Sequence, residues 1–189
     1  GHRLRRFEPA EADRIYFNDG TGRFREQSWE DVFRSASGAP SKEASRDWGL
    51  VARLEDLNGD GIPDLYVCND FESPDYYYQG IEGRPEMRAV RKEVLRTTSH
   101  SSMSIATTDV ERDGDVDFFL ADMLGRTYKR RQAQAGARSP VPRSIGDAKA
   151  RMQEMQNTFQ LNRGDGTYAE VAELSGIEGT GWTWSSTFV

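Results

Sequence analysis

The sequence holds one cysteine, Cys68, and only two histidines among 189 residues, and it has no apolar run long enough to cross a bilayer. A single thiol excludes an intrachain disulfide framework. The missing run excludes a helical membrane span, which needs about 18 or more apolar residues. Basic charge is also short. Twenty-five Lys and Arg stand against 31 Asp and Glu, giving a net charge of -6 and a pI of about 5.1. That balance argues against a general nucleic-acid binder and leaves only a local basic patch open. No Asn-x-Ser/Thr sequon occurs, and Gly1 to Glu8 is basic with no apolar core, so the start reads as a cut or processed end rather than a signal peptide. Apolar residues make up 36%, charged residues 30%, and mean hydropathy is -0.77, polar for a compact domain, while 11% aromatic content argues against general disorder. The length suits one medium domain or a piece of a larger one.

Repeats organise what is there. DWGLVARLEDLNGDGIPDLYVCND, from Asp47 to Asp70, is matched by SSMSIATTDVERDGDVDFFLADM, from Ser101 to Met123. Each reads as a partly apolar stretch, an acidic glycine-containing loop and a short apolar strand. A second kind of unit, IYFNDGTGRFREQ from Ile15, recurs as TFQLNRGDGTYAEV from Thr158 and more loosely as YYYQGIEGRPEMRAV from Tyr76. This is a hairpin pattern, with Gly20, Gly22, Gly164 and Gly166 suited to positive φ in the turns. A last piece, GWTWSSTFV, places Trp182 where Trp48 stands in the first acidic unit, and a third loop aspartate is expected just past Val189. The units fall roughly at 14–71, 75–123 and 157–189, the last incomplete. Short strands at a period of roughly 50–60 residues predict an all-β chain of four-stranded antiparallel β-propeller blades. Two to three blades do not close a ring of about four to eight, so the chain is expected to be part of a larger propeller. A small β-sandwich or an open sheet are the other architectures the pattern allows.

The acidic loops carry the chemistry. In the first, Asp56, Asn58, Asp60 and Asp64 place oxygen side chains at positions one, three, five and nine; in the second, Asp109, Glu111, Asp113 and Asp117 do so. The backbone carbonyl at position seven, Ile62 or Asp115, offers a further oxygen, and glycine at position six permits the turn. An oxygen-only set of this spacing suits calcium, whereas magnesium demands a stricter octahedron and keeps its waters. An EF-hand is disfavoured, because Val67 and Leu120 stand where its twelfth-position glutamate belongs and the flanks are β-branched and aromatic. The other reading is an acidic turn whose aspartates cap backbone groups. Two loops in register, each followed by an apolar strand (DLYV and DFFL), favour the metal.

These motifs, with NDGTGRF at Asn18, NTFQLNRGDGTYAEVAELSGI at Asn157 and GWTW at Gly181, resemble the FG-GAP/VCBS-type repeat of integrin-α-like propellers and of many bacterial extracellular proteins. More narrowly, the sequence is similar to bacterial propellers often followed by an ASPIC/UnbV domain, related to the cartilage acidic protein group. The resemblance implies two Ca²⁺ sites, one on Asp56, Asn58, Asp60, the Ile62 carbonyl and Asp64, the other on Asp109, Glu111, Asp113, the Asp115 carbonyl and Asp117. Glu111 departs from the usual aspartate or asparagine. The resemblance also implies a secreted or cell-surface module, periplasmic or extracellular in bacteria, that serves adhesion by binding protein or carbohydrate. The remaining blades would come from the full-length chain or another subunit. The alternative is a non-catalytic part of a propeller-scaffold enzyme of the polysaccharide lyase or hydrolase kind; no linear catalytic constellation is visible.

Residues 126–156 break the period as a basic excursion. Arg126, Lys129, Arg130, Arg131, Arg138, Arg143, Lys149 and Arg151 face the single acid Asp147 up to residue 151, which suits either an anionic glycan or partner, or a solvated loop. Residues 145–156 are expected to form a short helix. Cys68 reads as a core thiol and His100 as a loop histidine hydrogen-bonded locally. Trp48, Trp182 and Trp184 are expected to pack between blades. Of Tyr76, Tyr77 and Tyr78, one faces away from the other two and is either satisfied or open to stack on a sugar.

Overall fold

A computed structural model describes residues 10–71, 73–135 and 151–189. Asn18 folds the first turn by accepting from the N–H groups of Gly20 and Gly22 through Oδ1. The turn joins strands β1 (Ile15–Asn18) and β2 (Phe24–Gln27). A single helical turn, α1 (Trp29–Val32), follows, and the Ser28 hydroxyl caps it by accepting from the Asp31 N–H. Then come β3 (Phe33–Arg34), β4 (Trp48–Glu55), β5 (Asp64–Asp70), β6 (Tyr76–Ile81) and β7 (Arg84–Ala89). The last four form an antiparallel meander, and β3 adds in parallel along β7, giving the order β3-β7-β6-β5-β4.

Next are β8 (Thr97–Ser99), β9 (Ser104–Thr108), β10 (Asp117–Ala121), helix α2 (Tyr128–Ala135), β11 (Met152–Glu154), β12 (Thr158–Asn162) and β13 (Tyr168–Glu170). A second antiparallel meander runs β13-β12-β10-β9, and β11 pairs in parallel with β8. The described chain is therefore mostly strand with two short helices, as an all-β reading predicts, and all three expected hairpins form. The sheets share one internal register. Tyr66 faces Tyr77 in the first as Phe119 faces Phe159 in the second, which places Gly80 and Asn162 at corresponding positions. The insertion that carries α2 and β11 falls between β10 and β12, where the first sheet has only the short connection from Asp70 to Tyr76.

The sheets bury one core between them. Tyr66, Cys68, Tyr77, Leu95, Phe118 and Tyr168 meet there with little or no exposure, and the Phe118 and Tyr168 rings lie 4.9 Å apart. The opposite face of the first sheet packs Phe33, Tyr78 and Leu65 against α1 and against Ile15 and Phe17 of the first hairpin. The opposite face of the second packs Phe119 and Phe159 with Ala172 and Ile177, and Phe188 lies beside Phe159. Burial pushes the Cys68 thiol well up, as expected of a core cysteine. The three tyrosines alternate across β6: Tyr77 enters the shared core, while Tyr78 and the half-buried Tyr76 turn to the other face. The Tyr76 hydroxyl donates to Asp47 Oδ2 at 2.5 Å.

Two expectations are corrected. Residues 151–156, the described part of the segment expected to be helical, are not helical: Met152–Glu154 is a strand, because pairing with β8 satisfies its backbone where the two-methionine stripe had little to bury. Residues 145–150, with Arg138, Arg143, Asp147 and Lys149, lie outside the described residues. The helix inside the basic excursion is instead α2, held down by Arg131, which donates to the Gly125 carbonyl and to Glu178, each at 2.7 Å. The tryptophans expected between blades are exposed in this chain: Trp48 at 39%, Trp182 at 67% and Trp184 at 63%. Trp182 and Trp184 lie against each other, and Trp48 meets Phe71 edge-on at the open edge of β4.

Candidate functional site

The two acidic loops are the tight connections of the meanders. Asp56 to Asp64 joins β4 to β5, and Asp109 to Asp117 joins β9 to β10. They share the contacts of their first, fifth and ninth residues, oxygen for oxygen at the first and the ninth. The first carboxylate accepts from the N–H groups at positions five and six: Asp56 from Asp60 (3.1 Å) and Gly61 (2.7 Å), and Asp109 from Asp113 (3.1 Å) and Gly114 (2.9 Å). The fifth accepts from the seventh: Asp60 from Ile62, Asp113 from Asp115. The ninth accepts from the second: Asp64 from Leu57, Asp117 from Val110. With its other oxygen the ninth also ties down the next strand of its sheet, Asp64 through the Gly80 N–H at 3.0 Å and Asp117 through the Asn162 N–H at 2.9 Å.

Backbone shape follows the same rule. Positions four and six are left-handed in both loops, with φ of 78° at Gly59 and 82° at Gly61, and 59° at Arg112 and 96° at Gly114. An L side chain in this region costs about 1–2 kcal/mol, so Arg112 is the strained member of the set. Replacing it with glycine relieves that strain, while glycine's larger unfolded-state entropy takes back about 0.5–1 kcal/mol. Arg112→Gly is therefore expected to raise stability by about 0.5–1 kcal/mol, read as a shift of the urea midpoint; a lowered midpoint would show that the arginine side chain holds the loop.

Asp64 and Asp117 are almost wholly buried, at 0% and 2% exposure, and among the described residues neither pairs with a lysine or arginine. Burial lifts the Asp64 carboxyl to about 6, against the pull of the Gly80 N–H and the Tyr77 hydroxyl, with the charge of Asp60 adding to the rise. Asp56, Asn58, Asp109 and Asp115 are half-buried, while Asp60, Glu111 and Asp113 are exposed. Among the described residues, no group of three or more Asp, Glu, His or Cys side chains is drawn together closely enough to hold an ion. In loop one the Asn58 amide donates to Asp60 Oδ2, and its carbonyl oxygen accepts from the Asp60 N–H.

The donor set nevertheless fits a hard cation. Each loop supplies only oxygen side chains, and nothing lies within 4 Å of where a Cβ would stand on Gly59, Gly61 or Gly114. The uncompensated buried carboxylates are of the charge a cation offsets. At position seven, Ile62 and Asp115 turn their side chains toward the next hairpin. A Cβ on Gly80 would lie 2.5 Å from Ile62 Cγ2, and one on Gly164 would lie 2.9 Å from Asp115 Oδ2.

Sequence reasoning missed the groups that hold the loops from outside. The Tyr77 hydroxyl donates to Asp64 Oδ2 at 3.0 Å, and the Tyr168 hydroxyl donates to the Leu57 carbonyl at 2.7 Å. It also missed a polar counterpart at the other ends of β5 and β10. There the Asn69 N–H donates to Asp75, and the Asp122 N–H to Asn157, an acid and an amide in corresponding places. A match between SPDYYY and MQNTFQ would have been the signal; the insertion before Asn157 hides it.

Residues 56–120 match the family model of the FG-GAP-like repeat, a segment that spans both acidic loops and the strands between them. No curated protein and no solved structure matches the chain.

Proposed function

We propose, from the premise that residues 56–120 are an FG-GAP-like repeat, that the two meanders are neighbouring blades of a β-propeller whose loops bind calcium. On this reading the module is secreted or at the cell surface, and it binds a protein or a glycan. Asp56, Asn58, Asp60, the Ile62 carbonyl and Asp64 hold one ion. Asp109, Glu111, Asp113, the Asp115 carbonyl and Asp117 hold the other. The remaining blades come from more of the same chain or from another subunit.

The observation that carries the reading is the identity of the two loops. The carboxylates at positions one, five and nine make the same backbone contacts in both loops, and the deepest of them, the ninth, is buried without a basic partner. A buried carboxylate with no basic partner leaves a charge that a cation in the loop would offset. Metal bound to the folded state alone raises stability by about 2.7 kcal/mol at a concentration 100 times Kd. For a chain of this size that corresponds to roughly 5–10 °C in Tm. Calcium is therefore expected to raise Tm over EDTA, and Asp60→Ala, which touches an exposed side chain, is expected to remove about half of the rise while leaving Tm in EDTA nearly unchanged. Equal Tm values with calcium and with EDTA would remove the metal from the proposal. Recognition is read on a glycan array and in pull-downs with extracellular protein, both in calcium; failure in both would remove the adhesive part.

A further inference from the structure

The two loops are tied to each other through the third hairpin, β12–β13. On one side of its turn, loop two holds the hairpin. Asp117 Oδ1 accepts from the Asn162 N–H at 2.9 Å, and Asp115 Oδ2 presses on Gly164 so closely that a Cβ there would stand 2.9 Å away. On the other side of the same turn, where Tyr168 pairs with Asn162, the hairpin holds loop one. The Tyr168 hydroxyl donates to the Leu57 carbonyl at 2.7 Å across the sheet boundary, and the N–H of the same Leu57 donates to Asp64. The Tyr168 ring lies 6.2 Å from that of Tyr77, whose hydroxyl also reaches Asp64. Asn58, Asp115, Asn162 and Gly164 line one cleft with Tyr168, so both loops open on the same space. Leu57 is wholly buried and Tyr168 is 4% exposed, and a tyrosine hydroxyl buried there with its one acceptor gives the link a fixed geometry.

We infer that the two cation sites are positively coupled and that Tyr168 is the positioning residue that couples them. The inference rests on the calcium reading above. An ion in loop two fixes Asp115 and Asp117, and with them the turn from Asn162 to Gly164 and Tyr168, which pairs with Asn162 across that turn. Tyr168 then sets the Leu57 peptide, and Leu57 sets Asp64. Part of the ordering that loop one needs is thereby done before its own ion arrives, and linkage makes the effect reciprocal.

The test is calcium titration by calorimetry on the full chain in four forms: unmodified, Asp113→Ala, Tyr168→Phe and the double variant. With Tyr168 present, Asp113→Ala disables loop two and is expected to weaken calcium binding at loop one on the order of tenfold. In the Tyr168→Phe background the same change is expected to leave loop-one affinity unaltered. A merely structural tyrosine would lower stability without moving this difference. Hydrogen exchange gives a second readout that leaves Tyr168 in place. In the Asp60→Ala chain, where only loop two binds, calcium is expected to slow exchange at the Leu57 amide. Loop-one affinity that ignores Asp113, dependence that survives in Tyr168→Phe, or no added protection at Leu57 each overturns the coupling while calcium binding stands. No binding heat in the unmodified chain overturns the calcium reading and the coupling together.

Discussion

Asp64→Ala is expected to destabilise the fold by about 3–5 kcal/mol, in EDTA as well as in calcium. The side chain is fully buried and collects three donors: the Leu57 N–H, the Tyr77 hydroxyl and the Gly80 N–H. Alanine leaves all three without an acceptor in the core, each at about 1–3 kcal/mol. It also removes the clasp between the loop and β6. Against this stands relief of a carboxyl lifted to about 6, a gain too small near neutral pH to offset three stranded donors. The contrast with Asp60 separates the two roles. Asp60→Ala matters only when calcium is there, whereas Asp64→Ala costs stability in both states and also abolishes the calcium-dependent rise from its loop. Urea melts of both variants, with and without calcium, read this directly. A mild effect of Asp64→Ala in EDTA would mean that Gly80 and Tyr77 find water in its place.

Asp75→Asn is expected to act in the opposite direction at alkaline pH. Asp75 is buried between Tyr66, Asn69 and Ser102, accepting from both hydroxyls and from the Asn69 N–H. Burial raises its carboxyl to about 7, and the charge of Arg151, whose guanidinium donates to the Asp75 carbonyl, is the smallest of the opposing influences. Burial likewise disfavours the charge of Arg151 itself. Cys68, the remaining titratable group beside Asp75, is a neutral thiol at these pH values because burial raises it as well. An unfolded aspartate ionises near 4. Between about 4 and about 7 the folded chain thus holds a proton that the unfolded chain has released. Stability is full below that window and falls as pH rises through it, by about 2–4 kcal/mol for this group.

Asn157 occupies the corresponding place in the second sheet and accepts the equivalent N–H, from Asp122, at 2.7 Å. Asparagine therefore suits the position. Asp75→Asn is expected to remove this group's share of the fall between about pH 4 and pH 7 and to raise stability at pH 8 by about 1–2 kcal/mol. Urea midpoints at pH 5, 6, 7 and 8 measure it; an unchanged slope would assign the pH dependence to other groups.

The extent of what was legible in the sequence follows from the range of the interactions. The hairpin turns at Asn18 and Asn162 were readable because an Asx side chain and a positive-φ glycine fix a turn within five residues. The acidic loops were readable for the same reason: each first carboxylate meets donors only four and five positions away. Met152–Glu154 was not readable as a strand, because β11 exists only through its pairing with β8, far back in the chain. The tryptophans misled because an aromatic residue states that it can bury area, not that a partner is present to cover it.

By itself, then, the sequence determined the strand-rich character, the hairpins, the two nine-residue loops and their chemical kind, since all of these are set by neighbours along the chain. Only the tertiary structure decided that the ninth carboxylates are buried without a cationic partner, that Tyr168 reaches across to Leu57, and that Asp75 and Asn157 are counterparts. These depend on which strands lie side by side, a choice made by the burial of Tyr66, Tyr77, Phe118 and Tyr168 in one core rather than by any local preference.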